Sequence, residues 1–363
     1  MAPRRRRSGN KPISDGFRRD LLQELLWACG PSGQEEDVRD ICRRELAASV
    51  DEMWIDKAGN LVGLIRGADD DEAIRVMAHM DELSMIVKRI DSDGSLHLSP
   101  LGTMYPGNFG LGPVAVLGEA ERLTGVLSLG SEHTTAESKR IWETKPDGGD
   151  KAMDWTHVFV FTGRTPAELA GAGVRAGTRV CVDRSKRTLV ELGDYVGCYF
   201  MDDRAAVVAL LDAAAALKQR DGRPPNDVYV VFTTSEEVGG VGGSYASRTL
   251  PGHVTLALEV GPTEEEYGTR VSGGPIVAYS DAECVYDKKV ADRLMDIASA
   301  CGLSPQSAVL GAFESDASHA KAGGLGAQTG LLCLPTLNTH GYEVIRRDAI
   351  AEIAGVVVDF LMP

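Results

Sequence analysis

Five acidic or histidine residues stand where apolar segments of the sequence end, and those segments have the composition of buried β-strands. These residues are His79, Asp81, Glu236, Glu237 and Glu259. Ligands of open α/β sheets bind outside the carboxyl ends of the strands, so we expect the side chains to meet at one sheet edge. Two more candidates should join them, because Asp202 opens a helical segment and His340 follows a strand predicted at 330–334.

Buried carboxylates at such an edge would repel one another unless cations compensate them. A set that mixes imidazole and carboxylate favours zinc, with cobalt or manganese as alternatives, over calcium or magnesium. Two divalent ions carry four positive charges, and Asp202, Glu237 and Glu259 with one hydroxide would neutralise them. The residues therefore predict two divalent metal ions, and Asp81 would accept the second N–H of His79 and fix its tautomer.

Each motif also has a purely structural interpretation. A histidine at a strand end, such as His79, is often a structural residue, and the pair Asp202-Asp203 has the residue type that favours a helix N-cap. His340 has a rival in His319, which precedes the last predicted strand. The metal site is predicted by the combination of these motifs rather than by any one of them.

Composition and charge restrict the classes of partner. The chain has 363 residues, is 43% hydrophobic and carries a formal net charge of −15. Nucleic acid and anionic membranes require a basic surface, so neither is expected as the main partner. The basic run Arg4–Arg7 is the exception, and we interpret it as a solvated, disordered tail.

Several features of the sequence predict a cytoplasmic protein. The first sixteen residues lack the apolar stretch of a signal peptide. No apolar run approaches the roughly 20 residues that span a bilayer. The seven cysteines include no C-x-x-C pair, a pattern that fits reduced thiols.

The hydrophobic periodicity divides the chain into three parts. Residues 17–26 have helical spacing, and Ser32 and Glu35 have the spacing of a capping box for a second helix. Between residues 85 and 192, short β-type runs alternate with turn residues, as in a small β-barrel. From residue 193 onwards, apolar strands alternate with amphipathic helices, which is typical of a largely parallel sheet.

We therefore predict an α/β fold with a central mixed, mostly parallel sheet flanked by helices, and an inserted small β-barrel-like domain. The catalytic domain is predicted to be discontinuous, formed by 1–84 and 193–363, with the insert at 85–192. The insert contains none of the candidate metal ligands, so its predicted role is oligomerisation.

Longer motifs surround the candidate residues and extend over nearly the whole chain. They are Gly30-Pro31-Ser32-Gly33, Ala78-His79-Met80-Asp81-Glu82, Asp202-Asp203-Arg204-Ala205, Glu236-Glu237-Val238-Gly239, Ser315-Asp316-Ala317, and Leu334-Pro335 through His340. Together they resemble the tetrahedral and glutamyl aminopeptidases, a family of dinuclear metallopeptidases that includes relatives labelled as cellulases.

The resemblance implies a role for each candidate residue. Asp202 would bridge the two ions, His79 and Glu259 would complete the ligands of one ion, and Glu237 and His340 those of the other. Glu236 would be the general base. The resemblance also implies a peptide substrate cleaved from its N-terminus, and assembly through the insert into a homo-oligomer, a hollow tetrahedral dodecamer.

The chain differs from the family pattern at Glu259, where the family usually has Asp, and at 130–133, where it often has a Lys-Pro-rich motif ending in His. Two other functions would use the same residues. One is a dinuclear metal amidohydrolase or deacylase acting on small N-acyl substrates, and the other is a catalytically idle oligomeric scaffold. Glu236 argues against the scaffold, because a scaffold has no use for a base beside the metals.

Overall fold

A large mixed sheet forms the centre of the structure, a computed structural model that describes residues 17–363. The predicted basic tail, Arg4–Arg7, lies outside the described residues. In chain order the strands are β1 (Glu52–Ile55), β2 (Leu61–Ile65), β3 (Asp69–His79), β4 (Ser84–Ile90), β5 (Leu96–Leu101), β6 (Gly112–Leu117), β7 (Arg122–Ser128), β8 (Phe159–Phe161), β9 (Arg179–Val182), β10 (Val190–Leu192), β11 (Tyr195–Tyr199), β12 (Asn226–Thr233), β13 (Val254–Pro262), β14 (Ile276–Ser280), β15 (Gln306–Val309), β16 (Gln328–Leu337) and β17 (Tyr342–Arg346).

Eleven strands form the sheet, in the order β1-β2-β12-β3-β13-β16-β17-β11-β10, with β14 paired to β15 and β16. The four central strands, β12, β3, β13 and β16, are parallel to one another. Strands β2 and β17 continue the sheet on either side in antiparallel pairing. The predicted α/β fold with a mixed sheet is confirmed, and its parallel part is the centre that carries the candidate site.

Helices cover both faces of this sheet. In chain order the helices are α1 (Arg19–Trp27), α2 (Glu36–Leu46), α3 (Pro106–Phe109), α4 (Lys139–Trp142), α5 (Pro166–Gly171), α6 (Met201–Gln219), α7 (Val241–Thr249), α8 (Lys288–Ala300), α9 (Asp316–Ala322) and α10 (Ala349–Leu361), of which α3, α4 and α5 are short and lie in the barrel segment instead of on the sheet. In β3, Val76 and Ala78 belong to the core that includes α6, whereas Met77 belongs to a cluster with Ala246 of α7. Neighbouring residues of a strand point to opposite faces, so α6 and α7 lie on opposite sides. None of the described helices is both long and apolar enough to cross a bilayer.

Six strands between Ser84 and Val182 form a closed barrel, in the order β4-β5-β8-β7-β6-β9. Buried and exposed residues alternate along β7, as expected for a strand with one face towards the barrel interior. β10 lies within the segment 85–192 but pairs with β11 of the main sheet. The division of the chain at 84/85 and 192/193 into two domains stays a prediction.

The capping box predicted from Ser32 and Glu35 is wrong. The helix α2 begins at Glu36, and no side chain caps it. The Ser32 hydroxyl instead donates to the Asp81 carboxylate at 2.7 Å, and Glu35 accepts the N–H of Ser235 at 3.2 Å. Both side chains therefore support loops at the edge of the main sheet, where buried polar groups need partners.

A buried ion network connects Arg187, in the segment that follows the barrel, to Glu82 and Arg204 at the edge of the main sheet. The Glu82 carboxylate lies 2.6 Å from Arg187 and 2.8 Å from Arg204, and all three side chains are fully buried. Arg204 also donates to the carbonyl oxygen of Met80, and Arg187 to that of Leu26. Two guanidinium groups thus share one carboxylate, and backbone carbonyls satisfy other N–H groups of both.

Candidate metal centre

Adjacent parallel strands bring the candidate residues to one edge of the sheet. β3 ends at His79, and the pairing of Ala257 with Met77 brings Glu259 of β13 level with it. β12, the neighbour of β3 on its other side, ends just before the turn that carries Glu236 and Glu237. Asp202 lies at the start of α6 and His340 in the loop between β16 and β17.

The first group of possible ligands consists of buried residues, namely His79, Asp202, Asp203 and Glu259. Nε2 of His79 lies 3.0 Å from Oδ1 of Asp202 and 3.6 Å from Oε2 of Glu259. Ligand atoms at about 2.0–2.2 Å from a tetrahedral ion are roughly 3.3–3.6 Å apart. The 3.6 Å distance lies in this range and the 3.0 Å distance lies just below it, so a small shift of His79 or Asp202 would let this group hold a single ion.

The second group consists of Asp202, Glu237 and His340. Nε2 of His340 lies 3.7 Å from Oδ2 of Asp202 and 3.8 Å from Oε2 of Glu237. Asp202 thus belongs to both groups, with Oδ1 near His79 and Oδ2 near His340. A carboxylate in this position can bridge two ions.

The electrostatics of the cluster also fit cations. Burial raises the pKa values of Glu236, Glu237 and Asp203 well above their usual range, and neighbouring carboxylates add to the effect. Burial likewise raises the pKa of Glu259 to about 7. Among the described residues, Oδ1 of Asp203 and Oε1 of Glu237 are buried without a hydrogen-bond partner. Such oxygens are costly to bury unless a cation lies against them, so the residues present fit divalent metal ions.

Asp81 holds the turn that carries Glu236 and Glu237. Its Oδ1 accepts the backbone N–H of Glu236 at 2.9 Å, and its Oδ2 accepts that of Glu237 at 3.2 Å. Nδ1 of His79 lies 3.1 Å from the carbonyl oxygen of Asp81 and 3.5 Å from its carboxylate. The backbone carbonyl of Asp81 is thus the nearer acceptor for Nδ1 of His79, and its carboxylate fixes the turn.

Glu236 lies beside the two ligand groups, and neither of the groups found among the described residues includes it. Its Oε2 is 4.0 Å from Nε2 of His79, and its side chain is 10% exposed. The carboxylate therefore lies at the cluster and remains available for a role other than metal ligation.

Comparison with known proteins assigns the chain to a family. The family model described as M42 glutamyl aminopeptidase matches residues 59–355. The chain belongs to the M42 glutamyl aminopeptidase family. Membership supports a peptidase function.

Individual proteins are also similar to this chain. A putative aminopeptidase of Acetivibrio thermocellus is 27% identical over 329 residues, which cover 88% of this chain and 91% of the relative. The structure of aminopeptidase APDkam598 from the archaeon Desulfurococcus kamchatkensis has a TM-score of 0.84 and 26% identity, and the match covers 94% of both chains. The Pyrococcus horikoshii TET1 peptidase, described as able to assemble into a tetrahedron or a large octahedral shell, shares the fold with a TM-score of 0.81 and 23% identity over 94% of this chain and 98% of that one.

Two carboxylates without an assigned role in the sequence interpretation also lie at the centre of this M42 protein. Asp203 belongs to the first ligand group, and its Oδ2 accepts the N–H of His79 at 3.1 Å. Glu343 is buried and accepts the N–H groups of Asp202 and His340, each at 3.0 Å. The acidic type of Asp203, next to Asp202, was an available signal. The spacing of Glu343 three residues after His340 does not by itself indicate a contact with Asp202.

The remaining histidines lie outside the two ligand groups found in the described part of the chain. His319, the rival of His340, has its Nε2 3.2 Å from Glu314. His133 is exposed in the loop that follows β7. Glu259 belongs to the first group, with its Oε2 3.6 Å from Nε2 of His79.

The metal-free protein should lose stability as the pH rises from about 4.5 towards 7. The pKa of Glu259 is about 7 in the native state against its usual 4.5, so the native chain holds more protons than the unfolded chain in this interval. Burial alone would lower the pKa of His79, but Glu259 and the other carboxylates raise it, and this contribution is also lost as pH rises. Bound cations replace these protons, so the gain in thermal midpoint when Zn²⁺ is added after chelation should be larger at about pH 7.5 than at about pH 5. A gain that does not depend on pH would contradict this expectation.

Proposed function

We propose that this chain is a dinuclear metal-dependent aminopeptidase that removes N-terminal residues from peptides. The observation that carries the proposal is the pair of ligand groups that share Asp202 beside Glu236. His79 and Glu259 would hold one ion with Asp202, and Glu237 and His340 the other. Zinc suits these ligands best, with cobalt or manganese as alternatives.

Two bound cations supply Lewis acidity, which lowers the pKa of a water molecule at the site and polarises a peptide carbonyl. The residues of the chain do the rest. Glu236 takes the proton from the attacking water and returns it to the leaving amine, so one carboxylate is both base and acid. The Asp81 carboxylate holds Glu236 in place by accepting the backbone N–H of Glu236.

The family assignment supports exopeptidase action from the N-terminus rather than from the C-terminus, because the matching family model is described as an aminopeptidase.

A substrate panel tests the proposal. Purified protein is assayed with aminoacyl-p-nitroanilides and with N-acyl amino acids, before and after chelation and after metal is restored. We expect hydrolysis of the aminoacyl substrates only, lost on chelation and restored by Zn²⁺, Co²⁺ or Mn²⁺. Hydrolysis of the N-acyl substrates alone would replace the proposal with an amidohydrolase, and no hydrolysis by the metal-loaded protein would favour a scaffold.

We also propose that the barrel segment, 85–192, forms a second domain through which subunits assemble into a homo-oligomer, with a tetrahedral dodecamer as the form. Val126 of β7 and Phe161 of β8 are directly paired, and their side chains are 44% and 57% exposed. Two large apolar side chains side by side on an exposed surface are typical of an interface. The assembly described for the P. horikoshii TET1 peptidase supports the same proposal.

Phe161→Glu should shift the protein towards smaller species in multi-angle light scattering, because a buried charge at an interface is costly. Val285→Glu is the control, because Val285 is 69% exposed and lies outside the barrel. A wild-type protein that is monomeric at micromolar concentration, or a Phe161→Glu variant that assembles normally, would contradict the proposed interface.

A further inference from the structure

His340 is held at its backbone and its ring by three residues from two parts of the chain. Its N–H donates to Oε1 of Glu343 at 3.0 Å. Its carbonyl oxygen accepts from Nδ2 of Asn108 at 2.7 Å, and its Nδ1 lies 3.0 Å from the carbonyl oxygen of Thr103. Two of these three partners, Thr103 and Asn108, lie in the segment that connects β5 and β6 of the barrel.

The contact with Thr103 determines which ring nitrogen of His340 faces the metal centre. A carbonyl oxygen can only accept, so the hydrogen of the neutral imidazole is on Nδ1. Nε2 then presents its lone pair towards Asp202 and Glu237, the other members of the second ligand group. The barrel segment thus sets the tautomer that a metal ligand requires.

The backbone of His340 also needs this support. Its φ is +60°, in the left-handed region that residues other than glycine rarely adopt, so this conformation is strained unless its surroundings hold it. Its side chain is 35% exposed, so packing restrains the ring only in part. The hydrogen bonds to its N–H, carbonyl oxygen and Nδ1 are therefore what keeps it in the conformation that faces Asp202.

The segment that supplies Thr103 and Asn108 is itself anchored, both to the main-sheet part of the chain and to the rest of the barrel segment. Phe109, next to Asn108, stacks on Phe200 with 5.1 Å between the ring centroids and 7° between the ring planes. Trp155 donates from its indole nitrogen to the carbonyl oxygen of Met104 at 2.9 Å. The carbonyl oxygen and amide that hold His340 are thus presented by an anchored segment.

We propose that Asn108 is a positioning residue for His340, and that the barrel segment between β5 and β6 completes the second of the two ion sites. The inference rests on the proposed function to the extent that His340 binds a metal ion. It gives the inserted barrel a part in metal binding, exerted through His340, in addition to assembly.

The test is metal binding by Asn108→Ala. Chelator-treated wild-type and variant proteins are titrated with Zn²⁺ by isothermal calorimetry. We expect one of the two sites to weaken by roughly 10- to 100-fold, the usual effect of removing a residue that orients a metal ligand, and the other site to be unchanged. Asn226→Ala is the matched control. Asn226 is also half-buried, but it lies at the start of β12, whereas the candidate metal centre lies beyond the other end of this strand. The thermal midpoints of the metal-free proteins show whether the variants fold like wild type.

A double-mutant cycle separates positioning from a general structural effect. His340→Ala should weaken the second site more than Asn108→Ala does, and adding Asn108→Ala to it should then cause no further loss of affinity at that site. Wild-type affinities in Asn108→Ala, or further weakening in the double variant, would overturn the inference. If wild-type hydrolysis does not depend on metal, the proposed function itself fails, which is a different result from unchanged affinities in a metal-dependent enzyme.

Discussion

Replacing Glu236 with Gln should lower kcat by about 10²- to 10⁴-fold, the usual weight of general acid–base catalysis. The amide is nearly isosteric with the carboxylate but cannot accept a proton from water. The Glu236 side chain is absent from both ligand groups, and its backbone N–H still reaches Asp81 in the variant. The bound metal, measured by elemental analysis, should therefore equal that of wild type.

Two further variants make this result specific. Glu237→Gln changes the neighbouring member of the second ligand group, so it should lose bound metal as well as activity. Glu121→Gln, on the exposed barrel surface, should leave both unchanged. Near-normal turnover in Glu236→Gln would show that Glu236 is not the base, and loss of its metal would show that it is a ligand.

Glu82→Gln should lower the free energy of unfolding by about 3–5 kcal/mol, because removal of one charge from a buried network leaves its partners uncompensated. Arg187 and Arg204 would both lose the only carboxylate that they contact among the described residues. The free energies are compared by urea denaturation of the metal-free proteins, so that changes in metal binding do not contribute.

Glu119→Gln is the control for this loss. Glu119 pairs with Arg175 on the barrel surface, where both side chains are more than half exposed. Exposed ion pairs contribute little to stability, so the midpoint should change only slightly. Equal effects of the two substitutions would contradict the importance assigned to the buried network.

The strand-end residues could be predicted because their position follows from local patterns. The apolar segment at 74–78 predicts a strand, and the observed β3 runs from Asp69 to His79 with His79 as its last residue. Likewise, β12 ends at Thr233, just before the turn that carries Glu236 and Glu237. Parallel neighbours place their ends together, so a correct fold class was enough to bring these side chains to one edge.

The contacts that hold the residues of the candidate metal centre in place could not be predicted in the same way. Thr103 contacts His340 through its backbone carbonyl, so any residue at position 103 would offer the same acceptor. Asn108 is 232 positions from His340, and nothing in its neighbourhood marks it as a partner. Arg187 is one of 38 basic residues, and only the fold shows that Glu82 is its counter-charge.

A local sequence motif gave a wrong prediction for Ser32 and Glu35. Their spacing matches a capping box, but both side chains make contacts far along the chain, with Asp81 and Ser235. A local motif describes what neighbouring residues can do for one another. A buried polar group elsewhere can bind the same side chain instead, and this competition decides the outcome.

The position of Arg187 restricts how the protein could be shortened. The last barrel strand, β9, ends at Val182, so a truncated version would naturally rejoin the chain somewhere between there and β11. Any splice that omits Arg187 would leave Glu82 with one guanidinium in place of two. A shortened chain must therefore keep the connecting peptide around Arg187 to remain stable, even if every barrel strand is deleted.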